Sequence, residues 1–188
     1  MGGDSPALRP QEFAAIESMM ERIKALAMAE AQELVNLRRE LHRHPEVSFQ
    51  EDWTSTYLCD KLKELDLPYI RKGKRGIAVR ISGDLPGPHI AFRADFDALP
   101  IQEETGLPYA SQISGRMHAC GHDAHSSILL ALARTMAHNR DLLRGTVSFL
   151  FQDAEEIPPG GAAAMVEDGC LDGVDRIYAL HVSEELDT

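Results

Sequence analysis

Hydrophobic spacing changes at Pro68, and that change limits the folds open to this chain. From about Pro10 to His42 the apolar residues Phe13, Ile16, Met19, Met20, Ile23, Leu26, Ala27, Leu34, Leu37 and Leu41 recur at helical spacing, which predicts one long helix or two in line. Pro45 stops that pattern. Ser48 with Glu51 then forms a capping-box signature for a second helix through Tyr57, Leu58, Leu62 and Leu65. Beyond Pro68, residues 76–82 alternate apolar and polar, residues 83–88 are rich in Gly and Pro, and residues 89–94 read as a partner strand, so a hairpin is expected. Ala124 to Ala137 reads as a buried helix, Gly145 to Gln152 as a strand, Gly161 to Asp168 as a short helix ended by Gly169, and Ile177 to Val182 as a last strand. Strands alternating with helices imply an α/β fold: a mixed, largely parallel sheet sandwiched by helices, with its chemistry at the carboxyl ends of strands.

A chain of 188 residues buries enough surface for a full core without disulfides. Residues 1–10 read as a flexible N-terminus and residues 11–188 as one unit. The first residues lack the apolar core of a secretory signal, and no segment is apolar for long enough to cross a bilayer, so the expected compartment is the cytoplasm. A net charge of −11 repels a phosphate backbone, which argues against nucleic acid as a partner. The three cysteines are odd in number and widely spaced. Cys59 and Cys170 are expected to be small buried hydrophobes.

Cys120 stands apart. The segment Met117-His-Ala-Cys-Gly-His-Asp-Ala-His125 gathers a thiol, three imidazoles and a carboxylate, the donor types that zinc and similar metals prefer. Cys120 and His122 are two residues apart, so in an extended segment they would grip one ion or two adjacent ions. A helix beginning just after Gly121 would help hold the thiolate charged. His118 and His125 are expected to orient ligands rather than bind metal themselves.

Further donors follow other predicted strands. Glu155 and Glu156 come directly after the strand ending at Gln152, where one carboxylate can ligate metal while the other takes a proton from an activated water. His181 lies within the last predicted strand as a further imidazole donor. Asp95 and Asp97 follow a third strand, placed to orient a ligand or a base.

Taken together, Arg38-Arg-Glu-Leu-His-Arg-His-Pro-Glu46 with Glu51 and Thr54, Arg93-Ala-Asp-Phe-Asp-Ala-Leu-Pro-Ile101, Met117 to Asp123, Gly145-Thr-Val147, Phe151-Gln152 with Ala154-Glu-Glu156, and Leu180-His181 resemble the amidohydrolase branch of the aminoacylase and carboxypeptidase metallopeptidase family. That branch includes hippurate hydrolase, indole-acetyl-amino-acid hydrolase and N-acetyldiaminopimelate deacetylase. The resemblance implies two divalent ions (Zn, Mn, Co or Ni) bridged by Cys120, with His122 and His181 completing one and Glu156 holding the other. It also implies Glu155 as general base, Asp97 behind the site, and a small N-acyl amino acid as substrate. One position departs from the family pattern: Asp153 stands where Pro is usual.

Family members are considerably longer than 188 residues. By the resemblance, residues 11–188 are part of a catalytic domain, and a further His for the Glu156 ion, a dimerising lid domain and groups that recognise substrate lie elsewhere. One tight ion per chain is then expected, because only one position has three protein ligands here. The rival reading is a non-catalytic metal-binding or interaction fragment. A redox role for Cys120 fits poorly, since no resolving cysteine lies near it in sequence.

Overall fold

A computed structural model describes residues 10–183. The N-terminal helical pattern divides into α1 (Pro10–Ala29) and α2 (Ala31–Arg43). Leu37 and Leu41 of α2 are buried, whereas Met19, Met20, Ile23 and Met28 of α1 are exposed. The helical period thus reports burial in α2 but not at these four positions of α1. The expectation of a flexible N-terminus falls on residues outside the description, except Pro10, which opens α1.

The next helix, α3 (Asp52–Glu64), is not capped as its sequence signature predicts. Its N-cap residue Glu51 makes no side-chain capping bond, and the Ser48 hydroxyl donates to Asp97 instead. Glu46 takes over, accepting the free N–H groups of Trp53 (3.1 Å) and Thr54 (2.7 Å). Ser48 and Glu51 are thereby released for longer-range contacts.

Five strands follow: β1 (Tyr69–Lys72), β2 (Gly76–Ser82), β3 (Leu85–Asp95), β4 (Arg144–Gln152) and β5 (Arg176–Ala179). They form one sheet in the order β1-β2-β4-β3-β5, with β1–β2 and β2–β4 antiparallel and β3–β4 and β3–β5 parallel. The expected hairpin between β2 and β3 is therefore not formed, because β4 lies between them. Glycines make that insertion possible: Gly83 N–H donates to the Gly145 carbonyl at 2.9 Å, and a Cβ on Gly145 (φ +79) would come within 2.1 Å of the Pro88 carbonyl oxygen.

Alternation along the strands divides the core. Ile77, Val79, Ile81, Val147, Phe149 and Phe151 pack with Leu37, Leu58, Leu62, Leu129 and Leu130 from α2, α3 and α4 (His122–His138). On the opposite face Ala91 and Leu150 meet Met165 of α5 (Ala162–Glu167) and Cys170. Helices thus cover both faces. Cys59 and Cys170 are buried free thiols. The last strand ends at Ala179, short of the expected Val182, so His181 lies beyond the sheet.

Candidate metal centre

The carboxyl ends of β3, β4 and β5 lie side by side, with Asp95 opposite Gln152 and Arg93 opposite Ala179. The chain leaving each strand carries polar groups: Asp95 and Asp97, then Asp153 to Glu156, then His181. Helix α4 supplies a fourth source, since His122 is its first residue. Cys120 and His122 are not in an extended segment as expected but flank Gly121, which is left-handed at φ +85. A Cβ there would approach Val182 Cγ2 to 2.3 Å, so glycine is required both by backbone angle and by the neighbouring chain.

His122 is fully buried, and its Nδ1 lies 3.1 Å from Asp97 Oδ1. That bond assigns the proton to Nδ1 and leaves Nε2 with its lone pair. Asp97 also accepts the Ser48 hydroxyl (2.6 Å) and the Glu156 N–H (3.0 Å) on its other oxygen. Burial pushes this carboxyl up, but the bonds from His122, Ser48 and the backbone outweigh it and bring it down to about 2.

The chain after β4 turns sharply to present the two glutamates. Ala154 is left-handed at φ +46, a conformation that costs a non-glycine residue about 1–2 kcal/mol. Its N–H donates to buried Glu51 (2.7 Å), and its carbonyl accepts the Gly161 N–H (3.0 Å). Asp153, the departure from the family pattern, is buried and accepts the Arg75 N–H at 3.2 Å. Glu155 is exposed and Glu156 partly buried.

Cys120 Sγ lies 3.4 Å from His181 Nε2. Burial and the adjacent Glu156, Asp95 and Glu155 carboxylates push this thiol up to about 12, against the effect expected of the helix start. A cation bound beside it would offset those carboxylates and favour the thiolate.

The donor set fits such an ion. His122 Nε2 and Glu156 Oε1 are buried, have no hydrogen-bond partner among the described residues, and lie 3.5 Å apart. Cys120, His122 and His181 bring one donor atom each within 4.8 Å of one another, as do His122, Glu155 and Glu156, and also Asp95, His122 and His125. Unpaired buried donors of this kind are costly unless something binds them.

Of the two other histidines, His125 has an orienting position. It lies 2.6 Å from Asp95 through Nδ1 and accepts the Val182 N–H at 3.0 Å, which ties down the chain beside His181. His118 has no hydrogen-bond partner on either ring nitrogen among the described residues, and burial lowers it to about 4. It orients no ligand by hydrogen bonding. A network the sequence did not reveal holds Asp123, the neighbour of His122: Arg38 donates to it at 3.1 Å, and His42 bridges it (2.7 Å) to Glu103 (3.3 Å). Ser48 and Arg75 were equally hidden, and Glu51, part of the resemblance, reads by local spacing only as half of a capping pattern.

The fold is a mixed α/β sheet with a cluster of candidate metal donors at the carboxyl ends of its strands. Residues 91–187 match peptidase family M20/M25/M40, and the chain belongs to that family. It is 44% identical over 168 residues to an N-acyl-L-amino acid amidohydrolase of Geobacillus stearothermophilus, covering 89% of this chain and 45% of that one. It is 46% identical over 155 residues to an N-acetyldiaminopimelate deacetylase of Geobacillus thermodenitrificans, covering 80% and 40% respectively. The crystal structure of the Bacillus subtilis YXEP protein, described as a dinuclear metal-binding peptidase of family M20, superposes with a TM-score of 0.79 at 44% identity, covering 87% of this chain and 45% of that one. The chain therefore spans less than half the length of these relatives.

Proposed function

We propose that this chain carries the metal-binding core of an amide hydrolase that cleaves N-acyl amino acids into acid and amino acid. The observation that carries this reading is the convergence of unpaired His122 Nε2 and Glu156 Oε1 beside Cys120 and His181, with exposed Glu155 next to them. Cys120 would bridge two divalent ions (Zn, Mn, Co or Ni), His122 and His181 would complete one, and Glu156 would hold the other. When bound, such ions supply Lewis acidity that lowers the pKa of water towards ~7. Glu155 takes the water's proton on its carboxylate and returns it to the departing amine, a contribution of roughly 100- to 10,000-fold. Asp97 holds His122 through Nδ1, which leaves Nε2 as the atom that would take an ion, and His125 holds the Val182 backbone beside His181. The N-acyl amino acid relatives support the substrate class, and a cytoplasmic setting accords with it.

Elemental analysis and an N-acetyl amino acid hydrolysis assay with added Mn or Zn test this reading. Glu155→Gln should abolish any hydrolysis with metal content unchanged, whereas Glu156→Gln should lower metal content. Equal metal loss in both would overturn the division of roles. Cys120→Ser should lose more metal than Cys59→Ser or Cys170→Ser, and equal retention by all three would remove Cys120 from the ligand set.

A second reading rests on the ligand count. Cys120, His122 and His181 give one position three ligands, while Cys120 and Glu156 give the other only two, so the isolated chain should bind one ion tightly and hydrolyse substrate very slowly or not at all. Sustained metal-dependent turnover by the pure 188-residue protein would sink it.

A further inference from the structure

Glu51 is fully buried and is the N-cap residue of α3, yet its side chain makes no capping bond there. Its Oε1 instead accepts the N–H of Ala154, 103 residues away, at 2.7 Å. Its Oε2 has no hydrogen-bond partner, and Arg75 Nε stands 3.9 Å off. A buried carboxylate aimed at one amide is an expensive arrangement unless that amide has to be held.

Ala154 is such a place. It is the non-glycine left-handed residue directly before Glu155 and Glu156, and its methyl is fully buried. The left-handed twist reverses the chain as it leaves β4. Without it, the peptide between residues 154 and 155 would rotate, while Glu156 N–H remains tied to Asp97. The two glutamates would then no longer share their present relation. Gly161 closes the loop from below, since a Cβ there would come within 2.1 Å of Asp153 Oδ1.

We propose that Glu51 is a positioning residue, which by binding the Ala154 N–H locks the left-handed turn that sets Glu155 and Glu156 against the metal centre. This rests on the reading of Glu156 as a ligand. It is the reach of the side chain, rather than its charge, that matters.

Three variants of the 188-residue chain separate these terms. Glu51→Gln keeps the carbonyl acceptor and loses the charge. Glu51→Asp keeps the charge and cannot span the distance. Adding Ala154→Gly to Glu51→Asp makes the left-handed turn free of steric cost. Zinc affinity is read by calorimetry, and the Ala154 amide by hydrogen exchange in chelator. Wild-type Ala154 N–H should be strongly protected without metal, and rapid exchange there would by itself overturn the proposal.

Glu51→Asp should lose that protection and weaken the Glu156-dependent binding by roughly tenfold, in the range of lost outer hydrogen bonds. Glu51→Gln should stay near wild type, and Ala154→Gly should restore most of the affinity of Glu51→Asp. Weakening by Glu51→Gln but not Glu51→Asp would assign the effect to charge and overturn the proposal, as would failure of Ala154→Gly to rescue. Glu156→Gln is measured alongside. If it leaves zinc binding intact, the ligand reading fails; if it weakens binding while Glu51→Asp does not, only the role of Glu51 fails.

Discussion

Glu51 and Asp97 stand on either side of the same short loop, each fully buried and each accepting one backbone N–H from it, Ala154 on one side and Glu156 on the other. Yet burial drives Glu51 up to about 7, while Asp97 is drawn down to about 2. The difference lies in the donors. Asp97 receives an imidazole N–H and a hydroxyl besides the amide, whereas one oxygen of Glu51 has no hydrogen-bond partner among the described residues, only Arg75 at 3.9 Å. Depth alone therefore does not set the charge of a buried carboxylate; the number of hydrogen bonds to its ionised form does.

The comparison breaks most severely at Asp97→Asn. An amide would turn an N–H₂ towards one of three donors, so unfolding free energy should fall by about 3–5 kcal/mol. Zinc affinity should fall by roughly 10- to 100-fold as His122 loses its orientation. Urea unfolding and calorimetry measure both, and a neutral result would show that Asp97 does not hold the site.

The next effect lies in pH. Because Glu51 ionises less readily in the folded chain than in the unfolded one, the folded state binds more protons between about pH 4.5 and 7, so Glu51 makes stability fall across that window and no further above it. Glu51→Gln removes this slope and should gain roughly 3 kcal/mol relative to wild type between pH 4 and 8. Urea unfolding in chelator across that range gives the difference; parallel curves would show Glu51 charged throughout.

Asp97 has the opposite sign. Its contribution is present above about pH 4 and lost as pH falls through 2, worth roughly 2 kcal/mol. Acid unfolding of wild type against Asp97→Asn should show the gap between them narrowing by roughly 2 kcal/mol through that window. A gap constant down to pH 2 would contradict the assignment. The smallest effect belongs to Glu46, which accepts two N–H groups at the start of α3. Glu46→Ala should cost about 1 kcal/mol and leave zinc affinity unchanged. Altered zinc binding would mean that the α3 cap is coupled to the metal centre.

The candidate donors stood out in the sequence because polar chemistry is concentrated just beyond predicted strand ends, at Asp95 and Asp97 and at Glu155 and Glu156, and just before a predicted helix, at Cys120 and His122. Strand order was not legible. Hydrophobic period reports which residues are strand but not which strand is the neighbour, so adjacent β2 and β3 suggested a hairpin while β4 lies between them. Ser48 and Glu51 matched a local capping rule, and only distant partners at Asp97 and Ala154 outcompeted it. The left-handed turn at Ala154 had no sequence signal, because alanine, unlike glycine, does not advertise a positive φ.

The insertion of β4 between β2 and β3 sets an order of events when the chain is made. Ile77 must wait for Phe151 and Ile90 for Val147 before either strand has its neighbour in the centre of the sheet. With synthesis at about 5–20 residues per second, β2 and β3 remain without that neighbour for several seconds after they emerge. The β1–β2 ribbon can form early, but a two-stranded ribbon is marginal by itself. Assembly of the sheet, and of the site along its edge, therefore follows the arrival of residues 144–152, and a nascent chain halted before them exposes the edges of two apolar strands.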